Sequence, residues 1–129
     1  MSRSPVRILV ATASAVVLVL GLAGTAGAAP AARTTTTVIR GVGSYYSSPH
    51  WSPSRVKISP HDSVEWLAVT NHHHLVAYGG HWTFNAVLAT GASVTHRFAR
   101  KGTYLFRCTI HSTIVNGICQ GMCGKVVVH

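Results

Sequence analysis

Apolar and polar residues alternate in short runs along most of the chain. In residues 55–59 the alternation places Val56 and Ile58 on one side, and residues 63–70 show the same period. A period of two is typical of a β-strand that buries one face. A turn at Pro60-His61-Asp62 separates the two runs. The pattern therefore predicts two successive strands, each with an inward face.

The same reasoning predicts five further strands. They lie at residues 34–42, 72–78, 93–98, 103–108 and 125–129. Residues 43–53 are predicted as a loop or irregular edge, and Thr90-Gly91 closes a middle loop. No convincing helical period occurs after residue 28. Short strands separated by turns favour an antiparallel sandwich or barrel, and about 100 residues fit two sheets with Greek-key connections.

Residues 1–28 have the pattern of a secretory signal peptide. Arg3 and Arg7 precede an apolar run at residues 8–22, which small residues typical of a cleavage site follow. The alternative is a membrane anchor, but the run is shorter than the roughly 20 residues that a spanning helix needs. We therefore predict a cleaved signal peptide, a single secreted domain at residues 29–129, and no stable membrane insertion after cleavage.

The predicted domain is strongly basic. Asp62 and Glu65 are the acidic residues of the whole chain, and the loss of Arg3 and Arg7 with the signal peptide lowers the formal charge from +9 to +7. Such a surface attracts acidic partners. No basic cluster alternates with aromatic residues, so the sequence does not indicate nucleic-acid binding.

A thiol and an imidazole lie three residues apart at the end of one predicted strand. In residues 103–108, alternation places Tyr104, Phe106 and Cys108 on one face, and the two aromatic residues indicate that this face is the core. His111 follows where the chain turns. The two side chains can therefore meet at one buried point.

A run of three histidines at the start of the strand 72–78 offers a further donor. If Val76 faces the core, alternation places His72 and His74 on the inward face and His73 on the outward face. We expect one inward histidine here, either His72 or His74.

Met122 is the fourth candidate donor. It is the single methionine of the chain apart from Met1, and it lies in Gly121-Met122-Cys123-Gly124 before the last predicted strand. A lone methionine is more often a packing residue, but glycines on both sides of this segment weaken that interpretation. Two histidines, one cysteine and a weakly bound methionine describe a blue-copper electron-transfer site.

These segments together resemble the cupredoxins of the plastocyanin, amicyanin and pseudoazurin type. The most specific segment, residues 102–111, is similar to the pattern G-x-Y-x-F/Y-x-C-x-x-H, and residues 121–128 are similar to G-M-x-G-x-I/V-x-V. Weaker similarities cover residues 52–58, 62–66, 70–76 and 91–98. The resemblance implies a Greek-key β-sandwich of about seven to eight strands in two sheets.

The resemblance also implies a function. It carries one type 1 copper ion over to His74, Cys108, His111 and Met122. A secreted, monomeric one-electron carrier is expected rather than an enzyme, with electrons passing through His111 to a redox protein. The basic charge adds the expectation that this partner is acidic where it docks. The alternative function is copper scavenging or delivery without a redox partner.

The chain departs from the family between His111 and Met122, where ten residues replace a usual handful. Cys119 and Cys123 in and beside this loop are extra. They are four residues apart, so a turn can bring them within reach of a disulfide, which would leave Cys108 for the metal. Pairing of Cys108 with either of them would instead abolish the site.

Two other metal sites are compatible with parts of the pattern. A dinuclear copper centre would use both Cys119 and Cys123, but it needs a histidine where this chain has Val127. Zinc also binds cysteine and histidine, but the methionine and the strand context favour copper.

Overall fold

A computed structural model describes residues 27–44 and 46–129. The predicted signal peptide lies outside the described residues except for its last two. In the described part of the chain, no helix is long and apolar enough to span a membrane. Residues 32–129 form one compact unit.

The described residues form nine β-strands and no helix. The strands are β1 (Thr36–Ser44), β2 (Ser47–Ser52), β3 (Arg55–Ile58), β4 (Ser63–Ala68), β5 (His73–Tyr78), β6 (Asn85–Leu88), β7 (Ser93–Arg97), β8 (Gly102–Val115) and β9 (Ile118–Val128). One sheet has the order β2-β1-β4-β7 and the other the order β3-β9-β8-β5-β6. The predicted all-β sandwich of two sheets is confirmed. Both sheets are mixed rather than antiparallel, because β1 pairs with β4, and β3 with β9, in parallel.

Alternation predicted the inward faces correctly where one apolar residue alternates with one polar residue. In β3, Val56 and Ile58 are buried, and in β4, Val64 and Trp66 are buried. In β8, Phe106 is buried as predicted. These positions supply the core between the two sheets.

Two strands were not predicted. β2 lies inside the expected loop at residues 43–53, and β6 lies inside the middle loop. β2 is an edge strand that pairs with β1 and buries Trp51 alone among its six residues. A strand with a single buried side chain has too little alternation to be recognised from sequence.

Aromatic rings fill the centre of the sandwich. Trp66 lies 5.2 Å from Phe106 and 5.6 Å from Phe84 between ring centroids, and Trp51 lies 5.8 Å from Phe106. Edge and tilted contacts of this kind stabilise packed cores beyond the burial of their area. Phe106 is two residues before Cys108 in β8, so the Trp51–Phe106 pair lies at the end of the core near Cys108.

Candidate metal centre

Cys108 lies in β8 with its side chain fully buried. Its strand neighbour Phe106 faces the same way, and Cys108 is directly opposite Leu75 of β5. Residues opposite each other in a sheet point to the same face. Cys108 and Leu75 therefore both face the core, as the burial of Leu75 also shows.

This register places His73, and not its neighbours, inside the molecule. His73 is two residues before Leu75 and is opposite Leu88, and all three are buried. His74 is opposite Val87, which is 72% exposed. The prediction that His73 faces outward and His74 inward is wrong. Leu75, rather than Val76, is the core residue of this strand, and a shift of one residue reverses every side chain.

The ring of His73 is held from two sides. Its Nε2 donates a hydrogen bond to the carbonyl oxygen of Thr70 at 2.9 Å, and its ring lies 5.3 Å from that of Trp51. Gly41 of β1 makes room for it, because a Cβ there would lie 2.8 Å from the His73 ring. Since a carbonyl oxygen can only accept, Nε2 carries the proton and Nδ1 keeps its lone pair free.

Three donor atoms converge at this point. His73 Nδ1 lies 3.7 Å and His111 Nδ1 3.4 Å from Cys108 Sγ, and the donor atoms of these three residues lie within 4.8 Å of one another. An ion bound about 2.0–2.3 Å from nitrogen and sulfur spans such gaps at ordinary bond angles. Among the described histidine, cysteine and acidic residues, this is the group that could hold a metal ion.

The surroundings favour neutral imidazoles. Burial lowers the pKa of His73, and positive charge on His111 and His72 lowers it further, while the hydrogen bond to Thr70 opposes the shift. Burial also lowers the pKa of His111, with a smaller effect from His72. Because a histidine must be deprotonated to bind a metal ion, both shifts favour ligation near neutral pH.

His74 and His72 do not belong to the group of three donors. His74 Nδ1 is 2.9 Å from the hydroxyl of Thr109, and its Nε2 is 2.8 Å from Asn85 Oδ1. His74 thus links β5 and β6 to the residue that follows Cys108. His72 is exposed.

Met122 is fully buried in β9, opposite the segment that holds Cys108 and His111. In the β8–β9 ladder, Arg107 pairs with Cys123 and Ser112 with Gly121. Four residues of β8, 108–111, therefore face Met122 alone. This irregularity places Met122 opposite the segment that contains the cysteine and the histidine.

The ten residues between His111 and Met122 do not form the expected loop. They continue β8 and β9 as a hairpin, with Val115 opposite Ile118. Asn116 and Gly117 at its tip both have positive φ, 50° and 76°. An Asn-Gly pair in this conformation is the preferred two-residue turn of a β-hairpin.

The predicted disulfide between Cys119 and Cys123 is present, with 6.1 Å between the Cα atoms. Cys108 is consequently the free cysteine of the described chain. The alternative pairings that would have removed the thiol from the site do not occur.

The chain is similar to known proteins in structure but not detectably in sequence. No family model and no curated protein matches the sequence. A pseudoazurin from Sinorhizobium meliloti is similar in structure, with a TM-score of 0.57 and 17% identity over 74% of this chain and 75% of that chain. A purple cupredoxin from Nitrosopumilus maritimus has a TM-score of 0.56 and 19% identity over 72% of this chain and 99% of that one.

This chain has the cupredoxin fold. The resemblance found in its motifs is thereby confirmed for the architecture. The cysteine and the following histidine lie within β8, which continues to Val115 instead of ending at Cys108 as predicted. The upstream histidine is one residue earlier than predicted.

The cupredoxin fold also occurs inside larger proteins. A copper-containing nitrite reductase from Thermus scotoductus matches with a TM-score of 0.57 and 20% identity over 73% of this chain. The match covers 22% of that chain. Likeness of fold therefore does not by itself separate a carrier from an enzyme.

Two features of the site had signals in the sequence that alternation alone did not use. The Asn116-Gly117 pair between Thr113-Ile114-Val115 and Ile118 is a hairpin signal. For His73 the signal was weaker. Leu75 is as apolar as Val76, and a strand that buries Leu75 places His73 on the inward face.

Proposed function

We propose that this chain is a secreted type 1 copper protein that carries single electrons. The observation that carries the proposal is the convergence of His73 Nδ1, Cys108 Sγ and His111 Nδ1 within 4.8 Å at one buried end of the sandwich. In this proposal His73 replaces His74 as the upstream ligand, and Met122 is the weak fourth donor.

The donor set fits copper. Thiolate and thioether sulfur suit Cu(I), and imidazole suits both oxidation states. Zinc would more often take four strong donors, whereas the fourth donor that we propose is the thioether of the buried Met122. Bound copper would supply a reversible one-electron couple. The hydrogen bond from His73 Nε2 to Thr70 matches the second contact that metal-binding histidines usually make.

The chain's own residues have two tasks in this function. His73 and Cys108 are buried and would hold the ion away from water. His111 is partly exposed and gives the site an edge towards solvent. We propose that electrons enter and leave through this edge.

The surface around His111 supports a contact with another protein. Ile110, Ile114, Val115 and Ile118 are exposed, and residues 108–124 contain no charged side chain. An apolar centre with charges at its rim is typical of protein interfaces. We propose a redox partner with an apolar docking surface and an acidic rim that complements the net positive charge of the chain.

The predicted signal peptide and the disulfide support secretion, because disulfides persist in oxidising compartments. We propose that residues 29–129 are the mature, monomeric protein. We also propose a carrier rather than an enzyme, since the convergent donors form a single group in the described chain.

An absorption spectrum of residues 29–129 with one equivalent of Cu(II) tests the proposal. We expect an intense thiolate-to-copper band in the red. Cys108→Ser should abolish the band, because oxygen cannot replace the thiolate, whereas Cys119→Ser should keep most of it. A colourless wild-type protein with full copper occupancy would refute the type 1 site.

Redox cycling separates the carrier from the alternative of copper scavenging or delivery. For a carrier, a mild reductant bleaches the band and an oxidant restores it, with the copper retained through both steps. Loss of copper on reduction would instead favour delivery.

A further inference from the structure

Strand β9 folds back sharply within the disulfide ring. Cys119 and Cys123 are four residues apart, and their Cα atoms are separated by 6.1 Å. In a straight strand the same four steps would span about 13 Å. The backbone between the two cysteines is therefore bent, with Met122 inside the bend.

At Gly121 the bend packs closely against the backbone of His111 and Ser112. Its φ of +94° is one that residues with a side chain rarely adopt. A Cβ at this position would lie 2.5 Å from the carbonyl oxygen of His111 and 3.2 Å from the Cα of Ser112. The bend thus lies directly against the backbone of His111.

The same bend positions Met122. Cys123 pairs with Arg107 and Gly121 with Ser112, so Met122 faces residues 108–111 without a partner of its own. Its carbonyl oxygen accepts a hydrogen bond from Trp51 Nε1 at 3.2 Å, and Trp51 packs against His73. Met122 is therefore linked through Trp51 to His73, but it has no ladder pair of its own.

We propose that the Cys119–Cys123 disulfide positions the metal site: it holds the bend in β9 so that Met122 and His111 keep a fixed place relative to Cys108. The inference rests on the proposed copper-binding function. A one-residue slip of β9 would turn Met122 away from the core. Because the disulfide closes across the bend, it opposes that slip where ladder pairing is missing.

The test compares copper-loaded wild type with Cys119→Ala/Cys123→Ala, which leaves no extra thiol. We expect the variant to keep one copper and a thiolate band, since its three donors remain. The relative intensities of its absorption bands should change. Its Cu(I)-to-Cu(II) affinity ratio should change at least tenfold, which is about 59 mV in reduction potential for one electron.

Gln120→Ala is the matched control, because Gln120 is exposed and lies inside the same ring. It should have the spectrum and potential of the wild type. A folded double variant with the wild-type spectrum and potential would overturn the inference while leaving the proposed function intact. Absence of the thiolate band in the wild type would overturn both.

A second measurement applies if the double variant does not fold by circular dichroism. The Cu(I) wild type is treated with a phosphine reductant, the released thiols are alkylated, and the copper is reoxidised. The inference predicts the same change in spectrum and potential. A spectrum and potential equal to those of the untreated protein would overturn it.

Discussion

Single residues decide which atoms of this site are available. His73 has its Nε2 hydrogen-bonded to Thr70 and its Nδ1 directed to Cys108 Sγ. His74, one residue later, makes its hydrogen bonds to Thr109 and Asn85. One histidine thus contributes a donor, and the next contributes a link between strands.

Replacing these two histidines in turn tests the assignment. His73→Ala should abolish the thiolate band and weaken copper binding by more than about 100-fold, since even loss of an outer contact can cost about 10–100-fold. His74→Ala should keep the band. The measurements are the absorption spectrum and a competition titration for copper. The opposite order of effects would restore His74 as the ligand.

Met122 should affect the potential more than the colour. Met122→Leu replaces the thioether with a side chain of similar volume, so we expect the thiolate band to remain. Loss of the weak donor favours the lower coordination number of Cu(I), and the reduction potential should rise. Voltammetry measures the change. An unchanged potential would show that the thioether is only a packing group.

At the scale of elements, β1 supports the site through Gly41. This residue lies against the rings of His73 and Trp51, and a Cβ there would be 2.8 Å from the former and 3.0 Å from the latter. β1, which belongs to the other sheet, thus packs against the ring of the buried histidine. The absence of a side chain at residue 41 is a requirement of the site.

Gly41→Ala should therefore displace His73. Overpacking of this kind costs about 1–3 kcal/mol, so the free energy of unfolding of the copper-free protein should fall by that amount. Copper affinity should fall as well, since His73 Nδ1 moves. Urea unfolding and copper titration measure the two effects. Val42→Ala, at the neighbouring half-buried residue, is the control and should leave copper affinity unchanged. Wild-type copper affinity in Gly41→Ala would contradict this role.

The sequence predicted the inward faces of strands correctly where the alternation has a clear period. Val56, Ile58, Val64 and Trp66 alternate with polar residues, and their faces were predicted correctly. In β5, Leu75 and Val76 are adjacent and both apolar, so alternation alone cannot say which one is buried. The answer comes from pairing with Cys108, a contact 33 residues along the chain that is not visible in local sequence.

The hairpin beyond His111 shows a second reason why alternation fails to predict strands. Its residues have a turn signal at Asn116-Gly117, but their exposed faces carry Ile114, Val115 and Ile118. An extension that projects from the core lacks the contrast between a buried and an exposed face. Its length could be counted from the sequence, whereas its strand structure depends on the cross-strand pairs.

For the whole molecule, the distribution of histidines predicts how stability varies with pH. His96 lies among aromatic rings, 4.7 Å from Phe98, 5.3 Å from Phe84 and 5.4 Å from Trp82 between centroids. Burial lowers the pKa of His96. His96 is therefore harder to protonate in the folded protein than in the unfolded chain, where a histidine accepts a proton below about pH 6.5.

The sign of the pH effect follows from this difference. Stability due to the neutral His96 ring is present above about pH 6.5 and is lost as the pH falls through the lowered folded-state pKa. His96→Phe should remove this part of the acid destabilisation of the copper-free protein. Urea unfolding between pH 8 and pH 5, in roughly half-unit steps, measures it, with His81→Gln as the exposed control. Equal pH dependence in His96→Phe and wild type would contradict the prediction.

In the proposed site, a single group of three donors holds copper in the cupredoxin sandwich, with His73 and Cys108 buried and His111 partly exposed. A crystal structure of the copper-loaded protein, with anomalous scattering measured at the copper edge, tests it most directly. We expect one strong anomalous peak in contact with His73 Nδ1, Cys108 Sγ and His111 Nδ1. A peak at His74 or at the surface histidines, with these three atoms free of metal, would contradict it.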